Sequence, residues 1–172
     1  MTRKGDTWNE SRTFQDPFTL RRVRQFTTAG AYNYHPAYHT STAWTADGKR
    51  FIFMSGRANK STIFCGNVET GEITQLLDWV DGWMINIMTG ASRNFSHGVG
   101  TPCLDRNSGW VYYSIDQTLR AVNIDTLEER TLIEDSGIWA YGTPTVSPDS
   151  AYVAVPANII PEAMQDVDPT RP

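Results

Sequence analysis

The stretch His39-Thr-Ser-Thr-Ala-Trp-Thr-Ala-Asp47-Gly48-Lys-Arg-Phe-Ile-Phe-Met-Ser55 decides how this chain folds. Its Asp-Gly pair, set between two short β-prone runs, predicts a hairpin of residues 41–46 and 50–55. The pattern returns as His97-Gly-Val-Gly-Thr-Pro-Cys-Leu-Asp105-Arg-Asn-Ser-Gly-Trp-Val-Tyr-Tyr-Ser114. A third copy is Tyr141-Gly-Thr-Pro-Thr-Val-Ser-Pro-Asp149-Ser-Ala-Tyr-Val-Ala-Val155. Aligned on Asp47, Asp105 and Asp149, the residue eight positions upstream is His39, His97 and Tyr141. Three side chains able to move a proton thus share one repeat position.

Each hairpin leads into a second pair of strand-like runs. After the first come Ser61–Val68, the turn Glu69-Thr-Gly71 and Glu72–Leu77; after the second come 118–124, a turn at Asp125-Thr-Leu127 and 128–133. Four short strands in about 40 residues is the pattern of a propeller blade. The third copy supplies 143–147 and 151–156, with no third and fourth strands expected. The predicted architecture is all-β, a partial propeller of four-stranded antiparallel blades, with about two and a half blades present. Blade one spans about 39–78, blade two about 97–135, and blade three begins at 141, within a propeller segment of 17–160. Upstream, residues 1–16 read as a polar, loosely held arm, Phe18–Thr27 as one strand, and Ala29–Tyr38 as a loop. Residues 161–172 read as a polar tail. A small β-sandwich is the alternative, and it accounts less well for the matched turns. Between blades one and two, residues 78–97 form a connection longer than usual, with an apolar first half and a Gly90–Ser96 half able to line a cleft.

Composition narrows the function. A formal net charge of −4 excludes the basic footprint of non-specific nucleic-acid binding. No apolar run approaches the ~20 residues of a membrane span. Met1-Thr-Arg-Lys-Gly-Asp-Thr-Trp8 has no apolar core or cleavage-like site, so a cytoplasmic location is expected. Cys65 and Cys103 lack metal-ligand spacing and are expected as buried free thiols.

In a propeller, the residue preceding each innermost strand lies at the mouth of the central channel. His39, His97 and Tyr141 are therefore candidate catalytic residues, since histidine titrates near neutrality and tyrosine can give or take a proton. The other reading is that they are polar plugs between blades. His35 and Tyr38 lie in the loop feeding the same place. A metal site on His35, His39 and His97 is a weak signal, because His-x3-His suits a helix better than a proline-containing loop. Arg93 and Arg57 are candidate partners for a substrate carboxylate. Trp44, Trp110 and Trp139 can stack on sugar rings, although strand positions favour core packing.

The order and combination of several motifs resembles the oligogalacturonate lyases. They are Asp16-Pro-Phe-Thr-Leu-Arg-Arg-Val-Arg-Gln-Phe-Thr27, His35-Pro-Ala-Tyr38, Trp44-Thr-Ala-Asp-Gly-Lys-Arg-Phe-Ile-Phe53, Asn123-Ile-Asp-Thr-Leu-Glu-Glu-Arg-Thr-Leu132 and Trp139-Ala-Tyr-Gly-Thr143. The likeness covers most of residues 14–156 and corresponds to that family's N-terminal half. TolB-like propellers share its turns. The resemblance implies a seven-bladed ring performing β-elimination on a uronate-containing oligosaccharide such as a pectin fragment, a carbon–oxygen lyase if the ring is complete. It also implies a manganese ion whose histidine ligands lie in later blades, outside this chain. His39 and His97 depart from the family pattern at the blade mouths. Related propeller lyases acting on ulvan-type polysaccharides use a histidine, tyrosine and arginine set, a part His39, His97, Tyr141 and Arg93 can fill. The rival readings are a non-catalytic module binding protein or glycan, and a segment inactive until remaining blades or a second chain close the ring.

Overall fold

The computed structural model describes residues 2–34, 42–58, 60–81, 99–115, 118–134, 138–140 and 143–159, and for 81, 138–140 and 157–159 the backbone alone. All the regular structure in them is β. The strands are β1 (Thr7–Asn9), β2 (Arg12–Gln15), β3 (Arg22–Gln25), β4 (Tyr32–Tyr34), β5 (Arg50–Arg57), β6 (Lys60–Asn67), β7 (Glu72–Gln75) and β8 (Val80–Asp81). Then follow β9 (Cys103–Leu104), β10 (Trp110–Ile115), β11 (Thr118–Asn123), β12 (Glu129–Ile133), β13 (Ile138–Ala140), β14 (Thr145–Val146), β15 (Val153–Ala154) and β16 (Ala157–Ile159).

Two antiparallel sheets match the expected blades. The first runs β1-β7-β6-β5-β4, with β8 also on β6; the second runs β12-β11-β10-β9. Strand alternation builds the core between them. Ile52, Met54 and Ile63 of the first sheet meet Leu104, Val111, Tyr113 and Val122 of the second in one buried cluster. The opposite face of β5 and β6 carries a separate aromatic cluster. Phe64 is fully buried there, stacked on Phe53 (5.4 Å between ring centroids) and meeting Trp8 and Trp79 edge-on at 5.5 and 5.9 Å.

The N-terminal region departs from expectation. The supposed loose arm holds β1, which adds to β7 as the outermost strand of blade one (Trp8 opposite Ile73), and β2. The expected single strand Phe18–Thr27 is instead the second half of a hairpin, β2 with β3. Part of the expected loop Ala29–Tyr38 is β4, lying on β5.

The signal for this hairpin was in the sequence. Its turn is the same as the outer turns of blades one and two. Asp16, Asn67 and Asn123 each accept, on a side-chain oxygen, the N–H groups two and three residues on. In each turn the fifth residue donates its N–H to the first residue's carbonyl at 2.9 Å. A threonine sits fourth each time, Thr19, Thr70 and Thr126, and its hydroxyl accepts the N–H two residues later. The fifth residue must adopt a left-handed backbone: φ is +80° at Gly71, but the others are leucines, Leu20 at +57° and Leu127 at +59°. Left-handed leucine costs about 1 kcal/mol relative to glycine. Leu20 is 69% exposed, whereas Leu127 packs on the core cluster. Leu20→Gly is therefore expected to raise stability by about 0.5 kcal/mol, and Leu127→Gly to lower it by about 1 kcal/mol because lost packing outweighs relieved strain. Paired urea titrations check this, and equal effects would overturn it.

Blade three also differs. The expected strand 151–156 is shorter, and β16, beginning past its expected end, runs on antiparallel to β13 while β15 pairs with β14. Thus β13 and β14 make one interrupted inner strand, and β15 and β16 its neighbour.

Candidate functional site

The inner hairpins of the three sheets close at the same five-residue spacing. Thr45 N–H donates to Arg50 O, Asp105 N–H to Trp110 O and Ser147 N–H to Tyr152 O. This corrects the repeat alignment. Asp105 is the counterpart of Thr45 and Ser147, and Asn107 that of Asp47 and Asp149. Eight residues upstream of Asp47, Asn107 and Asp149 stand His39, Val99 and Tyr141. Val99 is buried in the core, so His97 falls two positions outside the repeat position shared by the other two. The aspartate of blade two misled the alignment because a different turn type places an Asx residue two positions earlier.

The inner strands share a second property. In blade one, Tyr34 faces Met54 and Trp44 faces Phe51, so the inner strand advances ten residues while β5 advances three. In blade three, Ala140 faces Ala157 and Thr145 faces Ala154: five residues against three. Blade two has one extra residue, between Gly100 (N–H to Ser114 O) and Cys103 opposite Tyr112. All three interruptions fall at equivalent positions along the strands. The seven additional residues of blade one are 35–41, which include His35, Tyr38 and His39. The two of blade three are 141–142, which include Tyr141. These four residues, with Arg93 and His97, lie outside the described residues, as does the apolar half of the 78–97 connection beyond Asp81. The described backbone fixes only where their segments join, at Tyr34 and Thr42, Val99, and Ala140 and Thr143.

Below these junctions the inner strands enclose a groove of about 460 Å³. Thr42 and Ala46 line it from blade one, Asp105 and Arg106 from blade two, Thr145 and Ser147 from blade three. Its floor is a run of turn-to-turn bonds. Ala46 N–H donates to Arg106 O (3.1 Å), and Asn107 Nδ2 to Pro148 O and to Ser150 Oγ (both 3.2 Å). Ser150 Oγ in turn donates to Asp105 Oδ1 at 2.8 Å. Burial pushes the Asp105 carboxyl upward, but bonds from Ser108, the Asn107 N–H and Ser150 outweigh it and hold the group below the usual aspartate value. Asp105 is thus an ionised structural anchor, with its lone pairs committed. Cys103, also on the groove, is pushed up by burial, and Cys65 is raised to about 11 for the same reason. Both thiols are free and stay protonated at neutral pH, as expected from the sequence.

Arg57, the candidate carboxylate partner among the described residues, is engaged elsewhere. Its Nη2 donates to Glu10 Oε1 at 2.6 Å and its Nε to Ser55 Oγ at 3.2 Å. The guanidinium lies 5.6 Å from the Trp8 and Phe64 ring centroids. A substrate carboxylate there has to compete with Glu10. Arg106 was not singled out from the sequence, yet it is the cation lining the groove among the described residues. Nothing in its local sequence marks it, since its position follows from the turn geometry alone. Trp110 lies half-buried beneath Arg130, 4.3 Å from the guanidinium carbon, and Trp44 leans on Phe51 at 5.0 Å while 41% exposed. Trp139 is at a strand position in β13.

Among the described residues no group of three or more histidine, cysteine, aspartate or glutamate side chains fits a metal ion. No helix among them is long and apolar enough to cross a membrane.

No protein-family model matches the chain, and no curated protein does. Solved structures do. An oligogalacturonate lyase from Vibrio parahaemolyticus matches with a TM-score of 0.62 at 23% identity, over 86% of this chain and 35% of that one. An oligogalacturonate lyase in complex with manganese matches with a TM-score of 0.62 at 22% identity, over 87% and 36%. A structure assigned to TolB from Agrobacterium tumefaciens matches with a TM-score of 0.53 at 15% identity, over 83% and 48%. The chain therefore has the propeller fold of these proteins and spans between a third and a half of their length. The resemblance read from the motifs is present in the tertiary structure as well.

Proposed function

We propose that this chain forms part of a β-propeller lyase that cleaves uronate-containing oligosaccharides by β-elimination. The observation that carries the proposal is the common height at which the inner strands are interrupted. The inner strands of blades one and three break off at Tyr34 and Thr42 and at Ala140 and Thr143, and Thr42 and Thr145 line one groove, on a fold shared with two oligogalacturonate lyases; His35, Tyr38, His39 and Tyr141 fall in sequence within those breaks.

In this reaction a base removes the proton at C5, next to the carboxylate. The released electron pair forms the C4–C5 double bond, the C4–O bond breaks, and an acid protonates the departing oxygen. Negative charge builds on the carboxylate in the transition state, so a cation fixed beside it is the main requirement. His39 or His97 serves as base. Tyr141 protonates the leaving oxygen, and Arg93 or Arg106 grips the carboxylate. His35 and Tyr38 are assigned to sugar binding, whereas Arg57, expected from the sequence to share that role, is held by Glu10. The described residues do not fit a divalent metal, so no step here runs through one. Galacturonate, ulvan-type uronate and other polymers share this chemistry.

The test is the rise in ultraviolet absorbance of an unsaturated uronate when the protein meets oligogalacturonate or ulvan fragments, with and without added manganese. Product is expected, with His39→Ala and Tyr141→Phe each lowering the rate at least about 100-fold. No absorbance change with any uronate polymer would sink the proposal. The TolB likeness favours a second reading, a binding module. It is preferred if glycan or protein binding survives both substitutions and no product forms.

A further inference from the structure

We propose that the turn of the β2–β3 hairpin, residues 16–21, is a docking point for acidic polysaccharide, where Phe18 stacks on a sugar ring and Arg21 grips a carboxylate. The choice of ligand rests on the uronate reading of the groove. The site itself rests on three equivalent turns within this chain.

Asp16 to Leu20 has the same bonds as the outer turns of blades one and two, so the three match position by position. The third residue is Glu69 in blade one and Asp125 in blade two, but Phe18 in the hairpin. The sixth, whose N–H donates to the threonine hydroxyl, is Glu72 and Glu128, but Arg21 in the hairpin. Two positions that are acidic in both complete blades are thus aromatic and cationic here.

Both positions face solvent in all three turns. Glu69 and Asp125 have side chains 67% and 57% exposed, and Glu72 and Glu128 are exposed too, although blade two lies between blades one and three. Exposure at these positions therefore comes from the turn itself and not from a missing neighbour. Phe18 is 93% exposed. Three of the acids are engaged locally: Glu69 with Lys49 at 3.4 Å, Asp125 with Arg50 at 2.6 Å and Glu128 with Arg130 at 2.9 Å. The Arg21 guanidinium has no ion pair or hydrogen bond among the described residues.

The surroundings favour an anion. Arg12, Arg22 and Arg24 accompany Arg21, and Asp16 is the single carboxylate of residues 11–25, in a chain of net charge −4. Asp16 is committed to the turn, accepting the N–H groups of Phe18 and Thr19. A positive spot on an acidic protein draws a polyanion to that spot while the remaining surface repels it. A phenyl ring covers the C–H face of a pyranose, and a guanidinium binds a carboxylate through two parallel hydrogen bonds. Pro17 and the Asp16 cap fix the backbone beforehand, which lowers the ordering cost of binding. A uronate polymer offers a ring and a carboxylate at each unit. A lipid surface fits less well, since stable membrane binding needs more apolar area than one phenyl ring.

Affinity electrophoresis of the 172-residue chain through gels containing polygalacturonate, dextran or neither reads binding without turnover. Retardation by polygalacturonate alone is expected, weakened at least about tenfold by Arg21→Glu and about fivefold by Phe18→Ala. Both variants should keep the wild-type urea midpoint, and both losses should persist in an Arg106→Gln background, which removes the groove cation. Phe18→Ala leaves the charge unchanged, so its loss separates a built site from general attraction between arginines and a polyanion. Retardation without any lyase product would keep the docking point and remove the proposed reaction. The docking point is overturned if polygalacturonate does not retard the chain, or if either variant is retarded as strongly as the wild type. Co-sedimentation with phosphatidylglycerol vesicles in place of polymer binding overturns it as well.

Discussion

Phe64→Ala is expected to cost about 3–5 kcal/mol, enough to abolish a stable fold in a chain of this size. The side chain is fully buried in β6 and touches three aromatic rings, those of Trp8, Phe53 and Trp79. Two of these come from distant segments: Trp8 from the N-terminal strand β1, and Trp79 from just before β8. Truncation would empty the centre of the cluster and also remove one of the two rings flanking the Arg57 guanidinium, leaving the Arg57–Glu10 pair, with side chains 19% and 13% exposed, poorly supported. Opposed strands hold Phe53 and Phe64 rigidly, so little collapse can offset the cavity. Urea denaturation followed by tryptophan fluorescence measures the loss. A change under about 1 kcal/mol would show that the cluster is not the core of this face.

The second large effect is at the groove floor. Asp105→Ala should destabilise the chain by about 2–3 kcal/mol, since it strands the N–H of Asn107 and the hydroxyls of Ser108 and Ser150. Ser150 belongs to the next blade, so the loss falls on the link between blades two and three. The effect has a pH signature. The folded carboxyl lies below its ordinary value of about 3.9, so it contributes stability that is fully present above that value. This contribution disappears as pH falls through the folded value. Asp16, Asp47 and Asp149 are lowered too, first by bonds from Thr19, Thr45 and Ser147 respectively, and act in the same direction. Asp105→Asn should therefore flatten the decline in stability below about pH 4 without removing it. An unchanged acid profile in that variant would show that Asp105 is not ionised in the fold.

Most of the blade grammar was legible beforehand. Turn residues and period-two alternation predict 110–115, 118–124 and 128–133, and the strands formed are Trp110–Ile115, Thr118–Asn123 and Glu129–Ile133. What misled was local. Asp105 mimics Asp47 in type but not in turn position, because both Asx-first and Asx-third turns close a hairpin of the same length. Asp16-Pro-Phe-Thr-Leu20 hid its kinship with Asn67-Val-Glu-Thr-Gly71 behind a leucine where glycine is the usual cue. Residues 7–9 carry too few side chains to announce a strand, and only the exposed edge of β7 gives them a place.

By itself the sequence determined the all-β class, the blade repeat and the buried thiols, because turns and alternation are written in adjacent residues. Its candidates for proton transfer followed from residue type at a repeated spacing. Tertiary structure alone decided which repeat positions are equivalent, that Arg57 is bound to Glu10, that Arg106 lines the groove, and that residues 7–9 join blade one as its outermost strand. Each of these depends on hydrogen bonds or contacts between residues far apart in the chain, and no local pattern encodes such pairings.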